Sequence, residues 1–472
     1  MGGERVITDR QQLRTYECDG LAHYKVTPGL VVLAADAGQV ATTVRACAEA
    51  GVPFVARGSG TGLSGGALPH ADGVLIVTSR MRSIIEVAPQ DERAVVEPGV
   101  INLDVTRAAA PYGYYYAPDP SSQQVCSIGG NVAENSGGAH CLKYGFTTNH
   151  VTGLTVIAPD GEQVGLGGRA PDTPGYDLLG AFVGSEGTLG IATEVTVRLT
   201  RTPETVQTLL AGFRSTDDAG AATSAIIGAG VVPAAIEMMD ALAIEAAEAA
   251  VSCGYPSGAG AVLVVELDGP AAEVQAQFAE VVRLCEAAGA FEIRVAADDA
   301  ERALIWKGRK SAFAAVGRIS PDYIVQDGVI PRTKLPDVLR RIDALAAESG
   351  IRVANVFHAG DGNLHPLVLF DDAVEGEAER AEAVSGAILD ICIEYGGSIT
   401  GEHGVGMDKM HHMPRMFTDD DLDTMQLVRC AFDPERLSNP GKVFPTPRLC
   451  GEVPGRHKGA HPLQEQGLAE VF

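Results

Sequence analysis

Three glycine-rich segments within the first two hundred residues constrain this chain more than any other feature. The first is Arg57-Gly58-Ser59-Gly60-Thr61-Gly62-Leu63-Ser64-Gly65-Gly66. The second runs from Pro118-Asp119-Pro120-Ser121-Ser122 through Ser127-Ile128-Gly129-Gly130-Asn131 to Asn135-Ser136-Gly137-Gly138, and the third is Gly184-Ser185-Glu186-Gly187-Thr188-Leu189-Gly190-Ile191. Glycine makes up 56 of the 472 residues, about 12% against roughly 7% in ordinary proteins. Bare backbone approaches a flat ligand closely, successive N–H groups form an anion nest, and interleaved Asn and Ser supply donors and acceptors. Three such loops suit a long ligand with a phosphate middle and two ring systems. Taken singly, each is also ordinary turn chemistry.

Residues 60–65 match G-x-G-x-x-G, the turn that binds nicotinamide dinucleotides, but that turn needs a helix to begin inside it so that the helix N-terminus faces the pyrophosphate. Here Ala67-Leu68-Pro69-His70-Ala71-Asp72-Gly73 follows and breaks any helix. A nicotinamide-dependent dehydrogenase is therefore the weaker reading of this loop.

The length predicts two or three domains. Gln39–Ala50 has helical periodicity and stops at Gly51, and residues 52–57, 74–78, 93–97 and 151–158 read as strands. This is a glycine-punctuated α+β domain. From Pro203 glycine thins, and helical segments at 241–251, 271–288 and 373–395 alternate with strands such as 261–267 and 353–357. The pattern predicts an α/β sandwich with helices on one face of an antiparallel sheet. Residues after Pro445 are polar and predict a disordered tail.

Composition excludes several classes. With 36 basic and 61 acidic residues the net charge is −25, and no Lys/Arg stripe tracks a phosphate backbone, so nucleic acid is not expected as a partner. Nine cysteines at irregular spacing, without a C-x-x-C pair, predict neither an iron–sulfur cluster nor a disulfide framework but reduced thiols in the cytosol. No targeting signal or membrane span is visible. The expectation is a cytoplasmic chain, peripheral to the inner membrane only through partners.

A second constellation lies at Phe357-His358-Ala359-Gly360-Asp361-Gly362-Asn363-Leu364-His365, between strand-like runs at 353–357 and 367–370. Asp361-Gly362-Asn363 predicts a tight turn, so that the two histidines face one another across a hairpin and share a cation. Gly401-Glu402-His403-Gly404 adds a carboxylate, completing a His₂–Glu set with an open position. A pair of structurally hydrogen-bonded histidines is the alternative. His411-His412 reads as a solvated surface.

The loops at 57–66, 118–138 and 184–190, with Asn439-Pro440-Gly441-Lys442-Val443-Phe444-Pro445, resemble the FAD-linked oxidases of the vanillyl-alcohol oxidase type over residues 20–446. Within that family the likeness is to the group holding the flavin subunit of bacterial glycolate oxidase and the D-lactate and D-2-hydroxyglutarate dehydrogenases. The resemblance implies an α+β chain: an N-terminal arm (1–25), a p-cresol methylhydroxylase (PCMH)-type FAD-binding domain (26–202), a ferredoxin-like α/β-sandwich substrate domain (203–400), a C-terminal helical segment closing on the flavin (401–446) and the tail (447–472). It implies FAD on Arg57, Gly58, Ser59, Gly60, Thr61 and Gly62, with its ring system against Pro118, Asp119, Ser122, Gly129, Gly130, Asn131, Asn135, Ser136 and Gly138, against Glu186, Gly187, Gly190 and Ile191, and near Asn439. Relatives that bind flavin covalently carry a His where this chain has Thr61, so the FAD is expected to be non-covalent.

The same resemblance implies a divalent metal, zinc or manganese, on His358, His365 and Glu402, with His403 as the base and Arg309 as the partner of the substrate carboxylate. A 2-hydroxy acid chelating the cation would lose its hydroxyl proton to His403 as the C2 hydride passes to flavin. Where D-2-hydroxyglutarate enzymes hold a distal carboxylate with Thr, Lys and Asn, this chain has Phe313, Val325 and Leu367, so a small monocarboxylic acid, glycolate or D-lactate, is expected. The resemblance also implies an iron–sulfur subunit and a second flavin-type subunit as partners, and a homodimer is a further expectation. A metallohydrolase would leave the glycine loops without a ligand, and a non-catalytic flavin subunit would not need a complete metal set.

Overall fold

The computed structural model describes residues 5–170 and 174–445. Strand β1 (Val6–Ile7) runs antiparallel to β2 (Leu30–Leu33), which forms a parallel set with β3 (Phe54–Arg57) and β4 (Val74–Val77) in the order β1-β2-β4-β3. The helix Ala37–Ala50 crosses from β2 to β3. Asp36 accepts from the Gln39 N–H at its start, and Gly51 ends it in the left-handed region at φ 62°, the conformation glycine adopts without a Cβ clash. Its Val40, Val44 and Cys47, spaced four and three apart, pack on Val32, Phe54 and Ile76.

An antiparallel sheet follows, built from β5 (Ile84–Ala88), β6 (Arg93–Val96), β7 (Val151–Ile157), β8 (Gln163–Gly167) and β9 (Ile191–Arg198) in the order β5-β6-β9-β7-β8. The second glycine segment sits on its inner side, where Ile128 and Val132 join the core formed by Val96, Val156 and Val195.

The next sheet comprises β10 (Thr205–Phe213), β11 (Ala235–Asp240), β12 (Ala261–Gly269), β13 (Glu292–Val295), β14 (Asp322–Val325), β15 (Gly328–Val329), β16 (Arg352–His358), β17 (Asn363–Leu364) and β18 (Pro366–Phe370). Its order is β13-β10-β12-β11-β16-β17-β15, with β18 pairing both β14 and β16. The sequence predicts helices on one face; the structure has them on both. Leu263 and Val265 face the helices Thr216–Gly228, Ala271–Ala287 and Leu335–Ser349, while Val262 and Val264 face Ala241–Val251 and Asp299–Val316. The unbroken apolar run of β12 records this, because burial on both sides removes the polar alternation of a one-sided strand.

The helix predicted over 373–395 spans Glu377–Glu394, its start set back by Gly376 at φ 77°. His411 is exposed as expected, whereas His412 is buried with its Nδ1 3.3 Å from Asp390; tertiary packing of the short turn, not local polarity, decides that difference. Seven of the described cysteines are free. The tail predicted over 447–472 lies outside the described residues.

Candidate active site

The three glycine segments converge on one cavity of 870 Å³, whose wall includes residues 57–62, Ser122, Gly129, Gly130, Asn131, Ser136, Glu186, Gly187, Gly190 and Ile191. No helix begins within 58–66, as the nicotinamide reading would require. The loop leaves β3 and folds against the second segment: the Ser59 N–H donates to Ser127 Oγ at 3.3 Å, and a Cβ on Gly58 would lie 2.1 Å from that oxygen. A side chain at 58 would displace the Ser127 hydroxyl and with it the hydrogen bond that joins the two loops. At Gly62 and Gly187, by contrast, a Cβ would meet nothing nearer than 3.8 Å, so bare backbone there keeps the cavity wide.

The remaining predicted cofactor residues stand behind this wall. Asn102 Nδ2 donates to the Pro118 carbonyl, Asp119 pairs with His140, and Asn135 Oδ1 accepts from the Thr148 N–H. Gly138 lies against Asp119, where a Cβ would come within 2.4 Å of its carbonyl oxygen. Asn439 Nδ2 donates to the carbonyls of Gly66 at 2.9 Å and Glu186 at 2.6 Å, tying the first and third glycine segments to the end of the described chain. Glu186 accepts from the N–H groups of Val405 and Gly406. Burial and the nearby Glu186 carboxylate hold Glu134 well above the usual carboxylate range. Its buried Oε2, like Ser185 Oγ, has no hydrogen-bond partner among the described residues. Open glycine walls and these polar atoms fit a long ligand with ring heteroatoms, as FAD is.

The second constellation opens onto the same cavity through His365, Glu402 and His403. Asp361 Oδ1 accepts from the Asn363 N–H, making the tight turn, and His358 and His365 meet with ring centroids 5.1 Å apart. Glu402 Oε1 lies 3.6 Å from His358 Nε2, 3.2 Å from His365 Nε2 and 3.6 Å from His403 Nε2. The Nε2 atoms of His358 and His365 are buried without hydrogen-bond partners among the described residues. Two lone-pair nitrogens on buried imidazoles and a carboxylate oxygen of half-buried Glu402, converging within 4.8 Å, fit a divalent cation. Burial disfavours the ionised form of Glu402, yet the three histidines outweigh it and hold the group well below the usual range.

Arg309 does not line the cavity. Its guanidinium is buried and its Nη2 sits 2.6 Å from Glu237 Oε2, while Lys310, Phe313 and Val325 do reach the wall. Leu367, expected beside the substrate, is fully buried in the core opposite Val325 in the β14–β18 register.

Several residues of the site escape a reading of motifs. Asp327, fully buried, accepts from the N–H groups of Gly401, Glu402 and His403 and from Lys409 Nζ at 3.2 Å, so one carboxylate shapes the loop that carries Glu402 and His403. Glu237 holds His358 Nδ1 at 2.7 Å. Glu266 accepts from Trp306 Nε1 and both arms of Arg302, and lies 3.3 Å from His140 Nε2. Asp327, between Gln326 and Gly328, carries no such mark, but Glu237 and Glu266 each stand in an apolar strand-like run, such as Ala235-Ile236-Glu237-Met238-Met239, and a buried charge demands a partner. That mismatch was the available signal.

Residues 28–167 match the model of the FAD binding domain, and 202–443 match that of the C-terminal domain of FAD linked oxidases. The chain is 50% identical over 455 residues to glycolate oxidase subunit GlcD of Escherichia coli (strain K12), covering 96% of this chain and 91% of that protein. It is 33% identical over 453 residues to a D-lactate dehydrogenase of Anaerostipes hadrus, covering 93% and 94%. The crystal structure of p-cresol methylhydroxylase with substrate bound shares the fold, with a TM-score of 0.79 over 94% of each chain at 16% identity.

Proposed function

This chain belongs to the FAD-linked oxidases, and from that premise we propose that it oxidises a small 2-hydroxy acid, glycolate or D-lactate, to the 2-oxo acid. FAD is held non-covalently by the glycine loops, and a divalent metal, zinc or manganese, by His358, His365 and Glu402. The observation that carries this reading is the gathering of three imidazole Nε2 atoms around Glu402 Oε1 beside the glycine-walled cavity.

When bound, FAD supplies a hydride acceptor and the cation supplies a Lewis acid that lowers the pKa of a chelated hydroxyl. His403 takes the hydroxyl proton at an imidazole nitrogen, the role that histidine fills most often in general base catalysis. Asp327 holds the backbone of His403 in place, and the parallel stack of His403 on His365 limits its rotation. Phe313, Ile324, Val325 and Phe370 give the adjacent wall an apolar character that accepts hydrogen or a methyl group at C2. Lys25 and Lys310, also on the wall, offset the repulsion that a net −25 chain exerts on an anionic acid.

No helix among the described residues is long and apolar enough to cross a membrane. We place the chain in the cytoplasm as one subunit of an assembly with an iron–sulfur subunit and a second flavin-type subunit. The E. coli relative is named as an oxidase subunit, and reduced flavin here needs an external acceptor. Anaerobic titration tests the reading. Purified protein is expected to show flavin bands that bleach with glycolate or D-lactate. A flavoprotein that neither acid bleaches refutes the substrate class, and unchanged bleaching after complete metal removal refutes the metal.

A further inference from the structure

Resting on the metal seat proposed above, we infer that Glu237 and Arg309 form a positioning chain for His358. The strand register carries the argument. Glu237 of β11 and His358 of β16 are directly paired across neighbouring strands, so the carboxylate reaches the imidazole without any loop to place it. Glu237 Oε1 accepts from His358 Nδ1 at 2.7 Å. That bond keeps the proton on Nδ1 and leaves the Nε2 lone pair facing Glu402, the tautomer a metal ligand needs.

A buried glutamate alone would be costly in this sheet, since it is 1% exposed. Arg309 meets that need. It lies on the helix Asp299–Val316, packed on the same face of the sheet, and its Nη2 sits 2.6 Å from Glu237 Oε2. Both carboxylate oxygens of Glu237 are thus engaged, one by the cation and one by the ligand imidazole. Arg309 Nε has no partner among the described residues, so the guanidinium meets Glu237 through Nη2 as an ion pair. Losing Arg309 would leave the Glu237 charge without its ion-pair partner at Oε2.

The test is metal affinity, measured by competition between a chelator and the flavin-loaded, metal-free protein for Mn²⁺ and Zn²⁺, with the flavin spectrum reporting the fold. E237Q and R309M are each expected to weaken binding 10- to 100-fold. The double variant, which removes both buried charges and so spares the fold, is expected to lose no more than the worse single one, because both act through one nitrogen. R309K, keeping the charge, is expected to recover most of the affinity lost in R309M. Wild-type affinity in R309M and in the double variant overturns the chain. Wild-type protein that binds neither ion overturns the metal seat itself, and the chain with it.

Discussion

His403 lies face to face on His365, with ring centroids 4.9 Å apart and planes within 3° of parallel. The proposed base and the proposed ligand are therefore one ring thickness apart, and both face the cavity that the glycine loops line. His403 Nδ1 is buried without a partner among the described residues, which leaves the imidazole free of a competing structural hydrogen bond.

Replacing that base separates binding from chemistry. His403→Ala is expected to retain FAD, since the cradle is built from other segments, and to lose 10²- to 10⁴-fold in the rate of anaerobic flavin reduction. Stopped-flow absorbance checks it. Reduction at the wild-type rate by this variant would sink the assigned role.

His140 links the two halves of the molecule, with Nδ1 2.8 Å from Asp119 and Nε2 3.3 Å from Glu266. Burial alone would depress its pKa, but Asp119 and Glu266 outweigh burial and push it up to about 10. The folded state therefore keeps a proton that the unfolded state releases near pH 6.5. The resulting stabilisation is full below that pH and is lost as pH rises toward 10, with a ceiling of about 5 kcal/mol. Thermal unfolding of wild type is expected to weaken between pH 6.5 and 9, and of His140→Gln to do so much less. Equal slopes would show that His140 is not the titrating link.

Leu367 sits in the core and not on the wall. Leu367→Asn is thus expected to leave oxidation of a small 2-hydroxy acid intact while lowering stability by about 1–3 kcal/mol, the cost of a buried amide without partners. Denaturant unfolding and steady-state turnover together test this. Lost turnover with unchanged stability would place Leu367 at the substrate.

Much of this was legible along the chain. Helices and strands with clear periodicity fall within a few residues of their expected ends, because apolar spacing and terminal glycines act locally. The glycine segments and the His-x₆-His and Glu-His pairs were visible for the same reason, since close backbone approach and metal ligation require particular residue types. Asp327 and Lys409 were not visible, and Glu237 shows only as a charge in an apolar run, for nothing nearby in sequence reveals which charges meet.

By itself, then, the sequence determined the residue types: where backbone must be bare, where imidazoles and a carboxylate are available, and which strands are apolar enough to be buried. Only the tertiary structure decided which charge pairs with which. The β11–β16 register sets Glu237 against His358, helix packing brings Arg309 onto Glu237, and the fold of the Thr400–Gly404 loop around Asp327 orients Glu402 and His403. The physical reason is that a buried charge is held by partners far apart in the chain, and their meeting depends on how whole elements pack.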